Sequence, residues 1–289
     1  MQLPGYGWKF IDLAALGNNR VRSYLLTLLC VILAPMASLG AVLGTLLFAA
    51  TQHWVSPAVG TTGIVVTAFG AVVVAGLTLA WGVARLHRRP WLSLVATDLR
   101  LDWRRLAIGA GVEGVLVAVL LYLTHLTSGT PLRVPSTLPL PGLALVMLLI
   151  PLQAASEEML FRGYLTQALG RIVRNRAVIA AGVGLAFGAM HFNAYGSLTI
   201  PYLFTLSAIY SVVTLRDERL ELTIGAHAAM NWLAVGASDV LARRAEIQLS
   251  WAALAALLVH GLLFYLLTRL LVRRFCEDGP ALDAATPRE

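Results

Sequence analysis

The sequence predicts an all-α, polytopic membrane helix bundle of about eight transmembrane helices, and three observations predict it. The chain of 289 residues is 58% hydrophobic and only 13% charged, about half the charged content of a soluble domain, and its mean hydropathy is +0.76. Its apolar residues come in continuous runs, each near the ~20 residues a helix needs to cross hydrocarbon, without the alternation of a barrel strand. Its arginines lie between those runs.

In order, residues 1–23 predict an interfacial segment, because Trp8 and Phe10 suit the headgroup layer and Lys9, Arg20 and Arg22 suit lipid phosphates. Spans are then expected at about 24–50, 60–84, 106–126, 142–168, 177–192, 200–215, 221–236 and 250–272. The first run is too long for the apolar part of a cleaved leader. The fifth to seventh are near the lower limit for spanning. With eight crossings, 18 of the 22 Lys and Arg fall on one side and three (Arg133, Arg243 and Arg244) on the other, while Arg162 lies inside a span. That bias places both termini in the cytoplasm. The loop at 127–141, with Pro131, Pro135, Pro139 and Pro141, reads as an extended outer linker. Residues 24–275 form one membrane domain with its motif core at 150–235, and residues 276–289 form a polar tail expected to be disordered. Cys30 and Cys276 are far apart and make neither a disulfide framework nor a metal pattern. The net charge of +7 is spread between apolar runs. The partners it implies are therefore membrane lipids, with no nucleic acid.

Ionisable groups inside a membrane are costly and point to function. They cluster between residues 157 and 231. In EEMLFR, Glu158 and Arg162 are four apart and share a helix face, so they can pair. Glu157 is rotated ~100° away and remains as the carboxylate free to work. FGAMH places Phe187 and His191 on one face, and HAAMN does the same for His227 and Asn231. Three helices thus supply a carboxylate, two imidazoles and an amide. Peptide hydrolysis fits: Glu157 with His191 holds and deprotonates a water, while His227 and Asn231 donate hydrogen bonds to the oxyanion. Zinc binding by Glu157, His191 and His227, with water as fourth ligand, fits the spacing equally.

The series EExxxR, FxxxH and HxxxN on successive membrane helices resembles the CAAX protease and bacteriocin-processing (CPBP) family, also called the Abi or type II CAAX endopeptidase family. The resemblance covers roughly 150–235 and extends to the flanking RGYL. It implies an intramembrane protease with Glu157 as general base and His191 as its partner on the water. His227 and Asn231 would form the oxyanion site, with Glu158 and Arg162 ordering the cluster. It also implies a peptide or protein substrate, in some members a prenylated tail, and a mechanism without cofactor despite the family's common metalloprotease label. Some members are regarded as scaffolds or regulators, so a non-catalytic role is the alternative from another class.

Absences disfavour other intramembrane chemistries. There is no HExxH, no GxGD, and Lys9 is the only lysine. Simpler readings hold elsewhere. Phe187 is expected to shape the pocket, and Gly163 and Gly188 to permit close helix packing. His260 reads as an isolated packing residue and Glu113 as structural. The pairs Arg88–Arg89 and Arg104–Arg105 read as topology determinants touching lipid phosphates. Measured along their helices, Glu157, His191 and His227 lie at depths that do not coincide.

Overall fold

The computed structural model of the chain describes residues 8–54, 56–128, 140–192, 197–238 and 249–277. It is helical throughout, and the one extended pairing among the described residues is the bridge between Ala96 and Arg219. A short α1 (Trp8–Asp12) and a 3₁₀ turn (Leu13–Leu16) lead into α2 (Val21–Thr51) and α3 (Pro57–Arg85). A second 3₁₀ turn (Trp91–Leu94) precedes α4 (Trp103–Ser128) and α5 (Leu140–Glu158). A π-helical segment (Met159–Leu165) continues α5 into the single turn α6 (Thr166–Leu169). Then come α7 (Arg176–Met190), α8 (Thr199–Asp217), α9 (Glu221–Ser238) and α10 (Trp251–Val272), the last ending in a π turn (Arg273–Glu277).

Each of the eight expected spans falls on one of these helices. Among the described residues, five stretches are long and apolar enough to cross a membrane: Val21–Thr51, Thr62–Arg85, Trp103–Thr127, Leu140–Leu169 and Trp251–Glu277. Of the other three helices, α7 is short at 15 residues, and α8 and α9 carry polar side chains. Those side chains point inward: Ser207, Tyr210, Ser211 and Thr214 on α8 are buried, as are Thr223 and His227 on α9. Meanwhile α2, α3 and α10 expose Leu25, Leu29, Ile32, Leu77, Leu258 and Leu262. Apolar outside and polar inside is the pattern of a multi-pass integral membrane protein.

Helix α9 is central, packed by α4, α5 and α8, and its first nine residues are all buried. Its closeness to α4 depends on two glycines. A Cβ on Gly225 would lie 2.1 Å from the Leu106 carbonyl oxygen, and one on Gly109 would lie 2.0 Å from that of Leu222. Missing side chains let the two backbones touch, the usual device where lipid gives no hydrophobic drive for association. Gly163 and Gly188 also face neighbouring backbone, at Leu94 and Ile200, as expected.

Two residues of the N-terminal segment, one of them an aromatic expected at the headgroups, pack against protein instead. Phe10 and Ile11 are 0% exposed, and Ile11 occupies the space a side chain would need at Gly170. His87 joins this segment to the bundle: one ring nitrogen lies 2.8 Å from the Asn18 carbonyl and the other 3.0 Å from the Tyr164 hydroxyl. A carbonyl only accepts, so Nδ1 carries the proton and Nε2 accepts from Tyr164. Burial pushes the His87 imidazole below its ordinary value, against the opposing pull of the Asn18 carbonyl. A base depressed in the folded state contributes stability that is lost as pH falls through the unfolded value of about 6.5. Limited proteolysis near residue 18 is therefore expected to speed up between about pH 7.5 and pH 5.5, and a His87→Gln chain is expected to lose that dependence.

Two of the four loop arginines expected at lipid phosphates turn inward instead. Arg89 is buried and donates to Gln167 at 2.7 Å, and Gln167 donates to the Ser93 carbonyl at 2.7 Å. Arg105 pairs with Asp102 at 3.2 Å and with Asp217. The Arg105 contacts, with Arg219 joined to Asp98 and Glu221 at 2.7 Å each, tie the 86–102 loop to the α8–α9 turn, and Arg89 ties it to α6. Arg88 and Arg104 are exposed. The 127–141 linker is helical at both ends, and its residues 129–139 lie outside the described residues, as do Arg133, Arg243 and Arg244. Of the tail, Cys276 and Glu277 belong to the π turn, and 278–289 lie outside the described residues. Both cysteines are free.

Candidate active site

The site begins with the registry of α5 against α9. The two helices run antiparallel and face each other through residues four apart on each: Gln153 with Asn231, and Glu157 with His227. Asn231 donates to the Gln153 side-chain carbonyl at 3.0 Å. The Gln153 amide donates to Glu157 Oε1 at 2.6 Å. Glu157 Oε2 then lies 3.7 Å from His227 Nε2. One further contact fixes this register. Pro151 has no N–H, so the carbonyl of Met147, four residues earlier, loses its helical donor. The Trp232 indole N–H takes its place, donating to that carbonyl at 2.7 Å.

The second carboxylate is held differently. Glu158 Oε1 accepts from Arg162 at 3.0 Å and bonds His227 Nδ1 at 2.9 Å. The side chains of Glu158 and Arg162 are both 0% exposed. The pair expected from spacing alone is therefore present, and it also anchors the imidazole. Arg162 keeps two nitrogens without a hydrogen bond, but its guanidinium lies 4.5 Å from the Phe187 ring centre and 5.4 Å from that of Tyr210. Two aromatic faces thus stabilise a cation that has left water. Phe187 also packs edge-on against Phe161 at 5.1 Å. Arg162 sits in the π-helical segment, a local widening often found at functional sites.

The histidine tautomers follow from their partners. Glu158 already accepts from Arg162, so it is an acceptor for His227 and the proton of that ring is on Nδ1. In the neutral form of the ring, Nε2 presents a lone pair toward Glu157. His191 Nδ1 lies 2.9 Å from the Phe187 carbonyl of its own helix, which again places the proton on Nδ1. Its ring lies tilted by 43° against Phe187 with centres 4.7 Å apart, and its polar contact is with its own backbone. His227, not His191, is thus the imidazole beside Glu157. The mismatch in depth disappears for Glu157, His227 and Asn231, because the antiparallel register brings them level.

Two groups were missed from sequence. Gln153 joins Asn231 to Glu157, and its signal was a lone amide four residues before the first glutamate of EEMLFR. Tyr210 offers its face to Arg162, and nothing in the α8 sequence singled it out. A third, separate finding concerns Glu113 on α4 and His260 on α10. His260 is not the isolated packing residue its sequence context suggests: it bonds Glu113 at 2.9 Å, and Glu113 is almost fully buried.

Metal binding by Glu157, His191 and His227 does not fit this arrangement. Among the described residues, no group of three or more His, Cys, Asp or Glu is placed to hold an ion. Glu157 Oε2 and His227 Nε2 face one another, but His191 does not join them.

On the other flank of the same two helices lies an apolar cleft of about 640 Å³. Leu152 and Ser156 of α5, Ala228 and Trp232 of α9, and Trp81 and Trp103 line it.

Residues 138–233 match the family model described as "Rce1-like: Type II CAAX prenyl endopeptidase Rce1-like". Among curated proteins the chain is similar to "Uncharacterized protein YyaK" of Bacillus subtilis (strain 168), 31% identical over 153 residues, which are 50% of this chain and 51% of that protein. The chain thus spans about half the length of the curated relative it matches. No solved structure matches it. The matched segment runs across α5 to α9 and includes Gln153, Glu157, Glu158, Arg162, Phe187, His191, His227 and Asn231. Over that segment, about a third of its length, the chain is similar to the Rce1-like type II CAAX prenyl endopeptidases.

Proposed function

We propose that this chain is an intramembrane endopeptidase that cleaves membrane-associated peptides or proteins with a water activated by Glu157. The observation that carries the reading is the approach of Glu157 Oε2 and His227 Nε2 to 3.7 Å; with the His227 ring neutral, both atoms are acceptors. Two acceptors at that distance are satisfied together by a donor, and a water gives one O–H to each. The water oxygen attacks the peptide carbonyl carbon and its proton passes to Glu157 Oε2. The carbonyl oxygen becomes an oxyanion, stabilised by an Asn231 side-chain N–H, and by His227 only once that ring is protonated. The C–N bond then breaks, and the proton on Glu157 moves to the leaving nitrogen. Glu158 and Arg162 act by holding the His227 ring and its tautomer. The reading needs no cofactor.

The Glu157 side chain keeps 13% of its exposure, which suits a base that must meet water inside an apolar bundle. The apolar cleft beside α5 and α9 offers space for the lipid or apolar anchor of a substrate. Eight crossings with both termini on the basic, cytoplasmic side belong to this reading, which rests on the charge bias of the loops.

The test is to reconstitute the full chain with membrane proteins from cells lacking its gene, and to map new peptide termini by mass spectrometry. The proposal expects a defined set of new termini. An unchanged set would favour a scaffold or regulator. Because Gln153 positions Glu157 through a short bond, Gln153→Ala is expected to lower kcat on the order of a hundredfold, the scale of a small misplacement of a reacting group. KM should change little.

A further inference from the structure

We propose that the chain binds a phosphate group, as found on an anionic phospholipid headgroup, in a basic pocket at the base of α8 and α10, away from the Glu157 site. The pocket has a volume of about 330 Å³, and three separate parts of the chain bring cations to it: Lys9 from α1, Arg216 from α8, and Arg269 and Arg273 from α10 and its π turn. Asp217, Glu218 and Glu277 also line it. Asp217 is nearly buried and is paired with Arg105, and Glu277 lies 4.0 Å from the same guanidinium. Arg105 does not line the pocket and offsets Asp217 from outside it, so four lining cations face the two remaining acids, Glu218 and Glu277.

The cations differ in how they are held. Arg216 is fixed in advance: it donates to the Tyr265 carbonyl at 3.0 Å, and its guanidinium lies 4.6 Å from the Tyr265 ring centre. Preset guanidinium forks suit phosphate oxygens. Lys9, Arg269 and Arg273 are exposed, and among the described residues their side chains have no ion pair or hydrogen bond.

Depth identifies the ligand chemistry. Trp251 is 71% exposed at the other end of α10. Eighteen residues separate it from Arg269, about 27 Å at helical rise, close to the ~30 Å thickness of hydrocarbon. With the indole at one boundary, Arg269 and Arg273 stand at the opposite headgroup layer, where phosphates are concentrated. A concave basic site between helix ends at that level is suited to an anionic headgroup.

The experiment is native mass spectrometry on the full chain in detergent, titrated with phosphatidylglycerol or phosphatidylcholine. A single retained phosphatidylglycerol is expected, with phosphatidylcholine retained far less. Arg269→Gln with Arg273→Gln is expected to weaken retention about 30-fold, the effect of removing two basic contacts at a membrane surface. Arg88→Gln with Arg104→Gln, which alters exposed arginines elsewhere, is expected to leave retention unchanged. Matching unfolding midpoints ensure that the comparison is between folded chains. Displacement of the lipid by millimolar inorganic phosphate would make the site one for free phosphate, and resistance to it would make the lipid the ligand. Equal retention of both lipids, or equal loss in both double variants, would overturn the proposal.

Discussion

Glu157→Gln is expected to abolish measurable cleavage by the reconstituted chain while leaving its fold intact. The substitution keeps size and shape, and the new carbonyl oxygen can still accept from the Gln153 amide that now bonds Glu157 at 2.6 Å. What it removes is the ability to take a proton. General-base catalysis is worth roughly 10²–10⁴ in rate, so the residual rate should fall by at least that much. The unfolding midpoint should move by an amount equivalent to no more than about 0.5 kcal/mol, as for substitutions away from packing features. The two histidines provide an internal ranking. Because His227 Nε2 is the imidazole nitrogen beside Glu157 and His191 is bonded to its own helix, His227→Ala should cost more activity than His191→Ala. The reverse order would return His191 to the role its spacing suggested.

Arg162→Met is expected to have the largest effect on stability. Arg162 and Glu158 are both fully buried, and removing one partner of a buried pair typically costs ~3–5 kcal/mol, because the other charge is left uncompensated. The double variant Glu158→Gln, Arg162→Met should lose less than the single one, since no charge then remains to be solvated. It should still lose activity, because Glu158 also fixes the His227 ring through its 2.9 Å bond. Denaturation in mixed micelles checks both. A single variant as stable as the parent would mean that the aromatic faces of Phe187 and Tyr210, rather than the ion pair, hold this part of the bundle together.

Much of this site could be read from the sequence because its logic is local. Spacings of four put Glu158 with Arg162, and His227 with Asn231, on common helix faces, and the structure keeps both arrangements. Continuous apolar runs located every long helix. What sequence could not give was the register between helices. Whether Glu157 meets His191 or His227 depends on how α5 slides along α9, and that is set by Pro151 freeing a carbonyl for Trp232 and by glycines at the α4–α9 contact. The same limit hid Gln153, an ordinary amide until it faces Asn231, and the Glu113–His260 pair, whose members are 147 residues apart. Phe10 and Arg89 were misassigned for a related reason. Aromatic and basic residues at a span's end suit headgroups, but they suit a protein neighbour equally well, and only packing decides.

The central claim is that one water is shared by Glu157 and His227. An experimental structure of the purified chain, at a resolution that shows ordered water and with data collected across the zinc absorption edge, tests it most directly. The account predicts a water within about 3.2 Å of both Glu157 Oε2 and His227 Nε2, with no anomalous signal there. An anomalous peak between those atoms, or side chains too far apart to share one water, would contradict it.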